Sequence, residues 1–203
     1  MEVKISLTNS KLGTQIPSVN LPPIITCRKN TPCAHGCYAC KGHYLYKNVK
    51  DSLKNNLAYY LYDSEGFFND IAKFLTNGLV NYKFMRWSAS GDIVDLNYLF
   101  GMVKVARKCK NVKFLCFTKK FEIVNEYLKD NILPNNLKIV FSAWDKTFTV
   151  DNPYNLPVAY VNFKKKERNP EIPELAIPCE GSCPECMSCW SLKKGQSVVF
   201  KQH

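Results

Sequence analysis

Residues 82–117 read YKFMRWSASGDIVDLNYLFGMVKVARKCKNVKFLCF, and their hydrophobic pattern decides the fold class. The stretch 82–87 is strand-like and runs into Ser88-Ala-Ser-Gly-Asp92. Asp95 is an N-cap residue ahead of Leu96, Leu99, Phe100, Val103 and Ala106, which recur at helical spacing. Residues 112–117 are again a strand, rich in apolar side chains. Strand, helix and strand at this spacing predict parallel pairing through a right-handed crossover.

The rhythm extends in both directions. Val49, Leu53, Leu57 and Tyr60 place a helix over 46–62, and Phe67, Ile71, Phe74 and Leu75 place a second over 67–75. A helix over 121–129, with Pro134 beyond it, and strands over 137–141 and 158–163 follow. Val3, Ile5 and Leu7 alternate with polar residues as a half-buried strand. The fold class predicted is α/β, either a partial (β/α) barrel or an open parallel sheet. It carries a cysteine-rich N-terminal loop and a C-terminal cysteine-rich extension. Residues 1–163 form the core and 164–203 the extension, within one globular unit. In either architecture the site lies at the C-terminal strand ends. Ser88, Ser90, Gly91, Asp92 and Ser142 are therefore the expected cofactor-binding residues, with Lys119 a candidate contact to an anion. For Asp92 and Asp95 helix capping is the plain alternative. Arg86 and Trp87 are adjacent on one strand and must face opposite sides. Tyr59, Tyr60, Tyr62, Phe67 and Phe68 sit at helical spacing and are expected in the core.

Eight of the ten cysteines fall into two blocks. The first reads Cys27-x5-Cys33-x3-Cys37-x2-Cys40 and the second Cys179-x3-Cys183-x2-Cys186-x2-Cys189, followed by Trp190. Thiolates so close in sequence suit a soft metal or an iron–sulfur cluster. Pro32, Gly36 and Gly42 break regular structure in the first block and let backbone wrap round such a group. One or two [4Fe–4S] clusters are expected, with zinc the competing metal in the second block. If Cys33, Cys37 and Cys40 act as three ligands, one iron stays open; if Cys27 joins them, none does. Cys109 and Cys116 read as inert thiols. His35 lies inside the first loop, where it is either a ligand or a solvated loop residue; His43 and His203 have no constellation around them.

The 203 residues are 46% hydrophobic and 22% charged, as in ordinary globular domains. The formal charge of +11 permits a nucleic acid or another polyanion as partner, and the run 164–168 reads as a solvated loop or an approach surface for it. No apolar stretch reaches the roughly 18 residues of a membrane span, so no membrane partner is expected. The first residues lack the pattern of a secretory signal, which predicts a reducing cytoplasm and free thiols.

Cys33-x3-Cys37-x2-Cys40 has the spacing found in radical S-adenosylmethionine (SAM) enzymes. More specifically, the chain resembles the phage "gene product eighty-eight" family, regarded as radical-SAM-like. The resemblance rests on Asn9-Ser-Lys-Leu-Gly13, Leu21-Pro-Pro-Ile-Ile-Thr-Cys27, Cys33-x3-Cys37-Tyr-Ala39, Arg86-Trp-Ser-Ala-Ser-Gly-Asp92, Phe117-Thr-Lys119, Phe141-Ser142 and the final Cys-x2-Cys-x2-Cys-Trp190. It implies an iron–sulfur protein with a partial barrel, located in the host cytoplasm if phage-encoded. The radical SAM spacing implies SAM as a second cofactor and an electron donor as partner. The rival expectation is a metal-stabilised nucleic-acid-binding or electron-transfer protein.

Overall fold

The computed structural model describes residues 1–78 and 80–202. Eight strands form one sheet in the order β1-β2-β3-β4-β5-β6-β8-β7. Only the β1 (Ile5–Ser6) to β2 (Ser18–Val19) pairing is antiparallel. β3 (Phe84–Trp87), β4 (Lys113–Thr118), β5 (Leu137–Ser142), β6 (Val158–Asn162), β8 (Ser197–Lys201) and β7 (Ile177–Pro178) continue from β2 in parallel. The sheet is open, with β1 and β7 as its edges.

The helices form where the apolar spacing places them. α1 (Lys47–Tyr62) buries Leu53, Asn56, Tyr59 and Tyr60, and α2 (Ser64–Thr76) buries Phe67, Phe68, Ile71, Ala72 and Leu75. The Asp63 carboxylate accepts from Gly66 N at 2.8 Å and starts α2. α3 (Leu96–Lys108) begins at Asp95, whose Oδ1 accepts from Tyr98 N at 2.8 Å and from the Tyr60 hydroxyl at 2.6 Å. One carboxylate thus caps α3 and ties it to α1. α4 (Phe121–Asp130) leads from β4 to β5.

Alternation along each strand divides the sheet into two buried faces. Trp87, Phe114, Cys116 and Phe141 point into the helix layer. Leu115, Val140, Ala159 and Val198 point the other way, where Trp190 and Leu192 cover them in place of α1 to α4. The second cysteine block therefore belongs to the structural layer on that face. It includes the short helix α5 (Cys183–Cys186).

The cysteine-rich region 164–203 also supplies β7 and β8, and β8 lies between β6 and β7. The connections from β5 to β6 and from β6 to β7 contain no α-helix. One expectation needs correction. Tyr62 is 81% exposed at the end of α1, off the stripe that α1 buries. Cys109 and Cys116 are buried in the helix-side core, as expected. His203 lies outside the described residues.

Candidate cofactor cavity

A cavity of about 710 Å³ opens on the face of the sheet opposite α1 to α4 and on the strand ends of β3 to β6. Both cysteine blocks reach it. Cys27, Cys33 and Cys37 line one side, and Cys179, Cys183, Cys186 and Cys189 line another, whereas Cys40 is exposed outside it. All ten cysteines are free thiols. Among the described residues, no group of three or more His, Cys, Asp or Glu side chains stands as a ready-made site for a single metal ion. His35 and His43 are exposed, and the His43 ring lies 4.5 Å from that of Tyr44.

The first block is positioned by the turn before it. Thr26 donates its hydroxyl to Pro22 O at 2.8 Å and accepts from Asp92 N at 3.1 Å. Ile24 is held at φ 67°, a costly conformation for a β-branched residue. Three successive 3₁₀ turns, Pro32–Gly36, Tyr38–Cys40 and Gly42–Leu45, then carry the loop past the cavity. The Tyr38 hydroxyl donates to Ala89 O and fastens this loop to the end of β3.

The end of β3 is the most constrained segment of the wall. Arg86 faces the cavity over the Phe117 ring at 4.3 Å, and Trp87 is fully buried on the opposite face, the alternation that pleating requires. Ser88 has φ 50° and is 5% exposed, and its Oγ is buried without a hydrogen-bond partner. A strained backbone joined to an orphaned hydroxyl is characteristic of a ligand-contacting position. Ser90 is committed to the fold: its Oγ donates to Leu21 O at 3.0 Å, and Leu21 N donates to Ser90 O at 3.0 Å. Gly91 has φ 77°, and a Cβ there would stand 2.7 Å from both Leu21 O and Thr26 Oγ1.

Asp92 accepts from Thr118 Oγ1 at 2.6 Å, Ile93 N at 2.8 Å and Lys119 N at 3.0 Å. Burial raises its carboxyl above the ordinary range, and these hydrogen bonds oppose the rise. Asp92 thus clamps β3 to β4 rather than standing free at the strand end. Ser142, at the end of β5, accepts from Lys119 Nζ at 2.9 Å.

The second block is held from three directions. Cys179 N bonds Val199 O at 2.9 Å, Cys183 N bonds Lys11 O at 2.9 Å, and Trp190 Nε1 donates to Met85 O at 3.3 Å. The Lys11 contact gives the Asn9–Gly13 motif a role. Gly13 N bonds Asn9 O at 2.8 Å to close a turn that packs on Pro184.

Burial raises the thiols. Cys27 is pushed up to about 11 and Cys189 to about 12, with Cys37 and Cys183 also raised. Arg86 opposes the rise at Cys183 and Cys189, and Lys11 acts the same way on Cys183. Within each block the charge of neighbouring thiols adds to the rise at Cys37 and Cys189. Trp144 carried no sequence signal, and Lys11, Phe163 and Arg168 were marked only as members of the 9–13 motif, the 158–163 strand and the 164–168 run; their places on the cavity wall arise from tertiary contacts.

No curated protein and no solved structure matches the chain. The family model described as Gene product 88 matches residues 3–198, which span the whole sheet up to β8, both cysteine blocks and every cavity motif described above. The chain belongs to the Gene product 88 family.

Proposed function

We propose that the chain is a small iron–sulfur enzyme of the radical SAM type. One observation carries this reading: seven free thiols from opposite ends of the chain open onto one cavity at the strand ends. The donor set fits the group. Soft thiols at Cys-x2-Cys and Cys-x3-Cys spacing suit iron–sulfur ligation, and at the second block Arg86 and Lys11 offset part of the rise that burial imposes. Cys33, Cys37 and Cys40 would hold the catalytic cluster, and Cys179, Cys183, Cys186 and Cys189 an auxiliary one. When bound and reduced, a [4Fe–4S] cluster with an open position supplies the electron for reductive cleavage of SAM.

The remaining residues orient and insulate. Arg86 stands by the second block and offsets its negative charge when the thiols ionise. Tyr38 and Trp190 pin the two loops and exclude water behind them. The orphaned Ser88 hydroxyl is the group in the β3 turn left for a ligand, while Ser90 and Asp92 hold the turn itself.

A second reading is favoured by the placement of Cys27 and Cys40. Cys27 lines the cavity and Cys40 does not. If Cys27 completes a four-thiolate set, the first cluster is closed and the protein transfers electrons or is simply stabilised by metal. Anaerobically reconstituted protein, given SAM and dithionite, separates the two. Formation of 5′-deoxyadenosine supports the enzyme, and its absence from fully loaded protein leaves the closed-cluster reading.

A further inference from the structure

We infer that the cavity mouth beside the ends of β4, β5 and β6 is a phosphate-binding subsite, so that the substrate is a phosphorylated small molecule. This deepens the reading that the cavity is where substrate reacts.

The observation is a pair of cations held by rings. Lys119 follows β4, and its Nζ lies 5.6 Å from the centre of the Trp144 ring while donating to Ser142 Oγ. The Trp144 ring meets that of Phe163 edge-on at 5.3 Å. Beyond Phe163, the Arg168 guanidinium lies 4.4 Å from that ring's centre. A wall of two rings thus carries a positive charge at each end, and all four side chains line the cavity.

An aromatic face attracts a cation through its quadrupole but has no net charge, so it positions the cation without neutralising it. Among the described residues lining the cavity, Asp92 alone is acidic, and its oxygens serve Thr118, Ile93 and Lys119 backbone. Lys119 belongs to no ion pair among the described residues. Arg168 meets Asp145 through one nitrogen at 3.4 Å, which leaves the rest of its donor fork. Lys11, Arg28, Lys41, Arg86 and Lys201 also line the cavity, but Lys119 and Arg168 are the two cations set on the Trp144–Phe163 wall.

The ligand class follows from the donors. Trp144 Nε1 is buried without a partner and adds a neutral donor to the wall between the two cations. An ammonium, a guanidinium and an indole N–H spread along one wall suit a phosphorylated ligand, whose several oxyanion acceptors can meet donors at more than one point. The ring faces are already occupied by cations, so this wall is no platform for stacking a base. The cavity volume falls in the range of small-molecule sites rather than of a polymer groove.

The test is calorimetric titration of the full-length, anaerobically reconstituted chain with pyrophosphate, a nucleoside monophosphate, the matching nucleoside, citrate and a single-stranded oligonucleotide. Iron is assayed on the same samples. Both phosphate compounds should bind. Lys119→Met and Arg168→Met should each weaken that binding about ten-fold, the loss of one charge-assisted hydrogen bond. Lys54→Met, on the exposed side of α1, should bind as the wild type does. Unchanged binding in both cavity variants overturns the proposal. So does failure of iron-loaded wild type to bind either phosphate, equal binding of nucleoside or citrate, or binding of the oligonucleotide alone. Phosphate binding that survives in protein unable to hold iron upholds the subsite and removes the cluster reading instead.

Discussion

Gly91→Ala tests the link between a single backbone conformation and the whole cavity floor. An alanine at φ 77° costs about 1–2 kcal/mol for its left-handed conformation alone. Its Cβ would also stand 2.7 Å from Leu21 O, 2.7 Å from Thr26 Oγ1 and 2.8 Å from Leu21 Cβ. These are not flexible side-chain tips. Leu21 is held by the Ser90 hydroxyl and by its own N–H to Ser90 O, and Thr26 by Asp92 N. Relief of the clash loosens two of these bonds, each worth about 1 kcal/mol. The expected total is about 3–4 kcal/mol. Because the 21–26 turn delivers Cys27 to the cavity, iron uptake should fall together with stability. Gly36→Ala is the matched control: a Cβ there meets nothing within 4 Å and its φ is not positive, so the change should stay within about 0.5 kcal/mol. Urea unfolding of the metal-free, reduced chain, followed by tryptophan fluorescence, measures both. A Gly91→Ala midpoint equivalent to a loss under about 1 kcal/mol would refute the reasoning.

Gly101→Ala should destabilise by about 1–3 kcal/mol although alanine is the better helix former, because its Cβ would enter the Phe68 ring packed between α2 and α3. Adding Phe68→Leu should recover part of that loss in the same urea assay. At Asp145, burial opposes ionisation, but the Thr147 hydroxyl and N–H and the Arg168 guanidinium outweigh it and hold the carboxyl below its ordinary value. A depressed acid contributes stability above the ordinary carboxylate range that is lost as pH falls through its folded value. Asp145→Asn should therefore lose about 1 kcal/mol at pH 7, a modest figure because Arg168 is 43% exposed, and the deficit should shrink at an acidic pH as the carboxyl takes up its proton below the ordinary carboxylate range. An equal deficit at both pH values would show that charge is not its cause. Cys27→Ala should keep its full iron load if Cys33, Cys37 and Cys40 are the ligands of the first block; loss of that block's iron would place Cys27 in a closed set.

The parts of the fold that were legible in the sequence are those fixed locally. Asp95 ahead of a helical apolar stripe announces α3, and the apolar runs of β4 and β5 can only be buried strands. β2 and β7 were not legible because each has two residues, β2 directly after Pro17 and β7 ending in Pro178 itself, and only their partners make them strands. Ser197–Lys201 is short and follows a polar turn, so β8 has little local signal, and its insertion between β6 and β7 is a tertiary event. That insertion also explains what was hidden about the site. The cysteine spacings mark the thiols individually, but their shared cavity exists because the segment between β7 and β8 packs on the sheet face opposite α1 to α4. The strand-end motif at residues 88–92 was visible as well. Which of its side chains hold the turn and which is left for a ligand depends on Leu21, Thr26 and Thr118, residues far away in the sequence.

Iron and acid-labile sulfide determined per chain after anaerobic reconstitution, alongside zinc and cystine on the same sample, bears most directly on the cavity's thiols. The account predicts about eight irons and about eight sulfides, as two cubane clusters require. One zinc per thiol block with no sulfide, or cysteines recovered as disulfides with no metal, would contradict it.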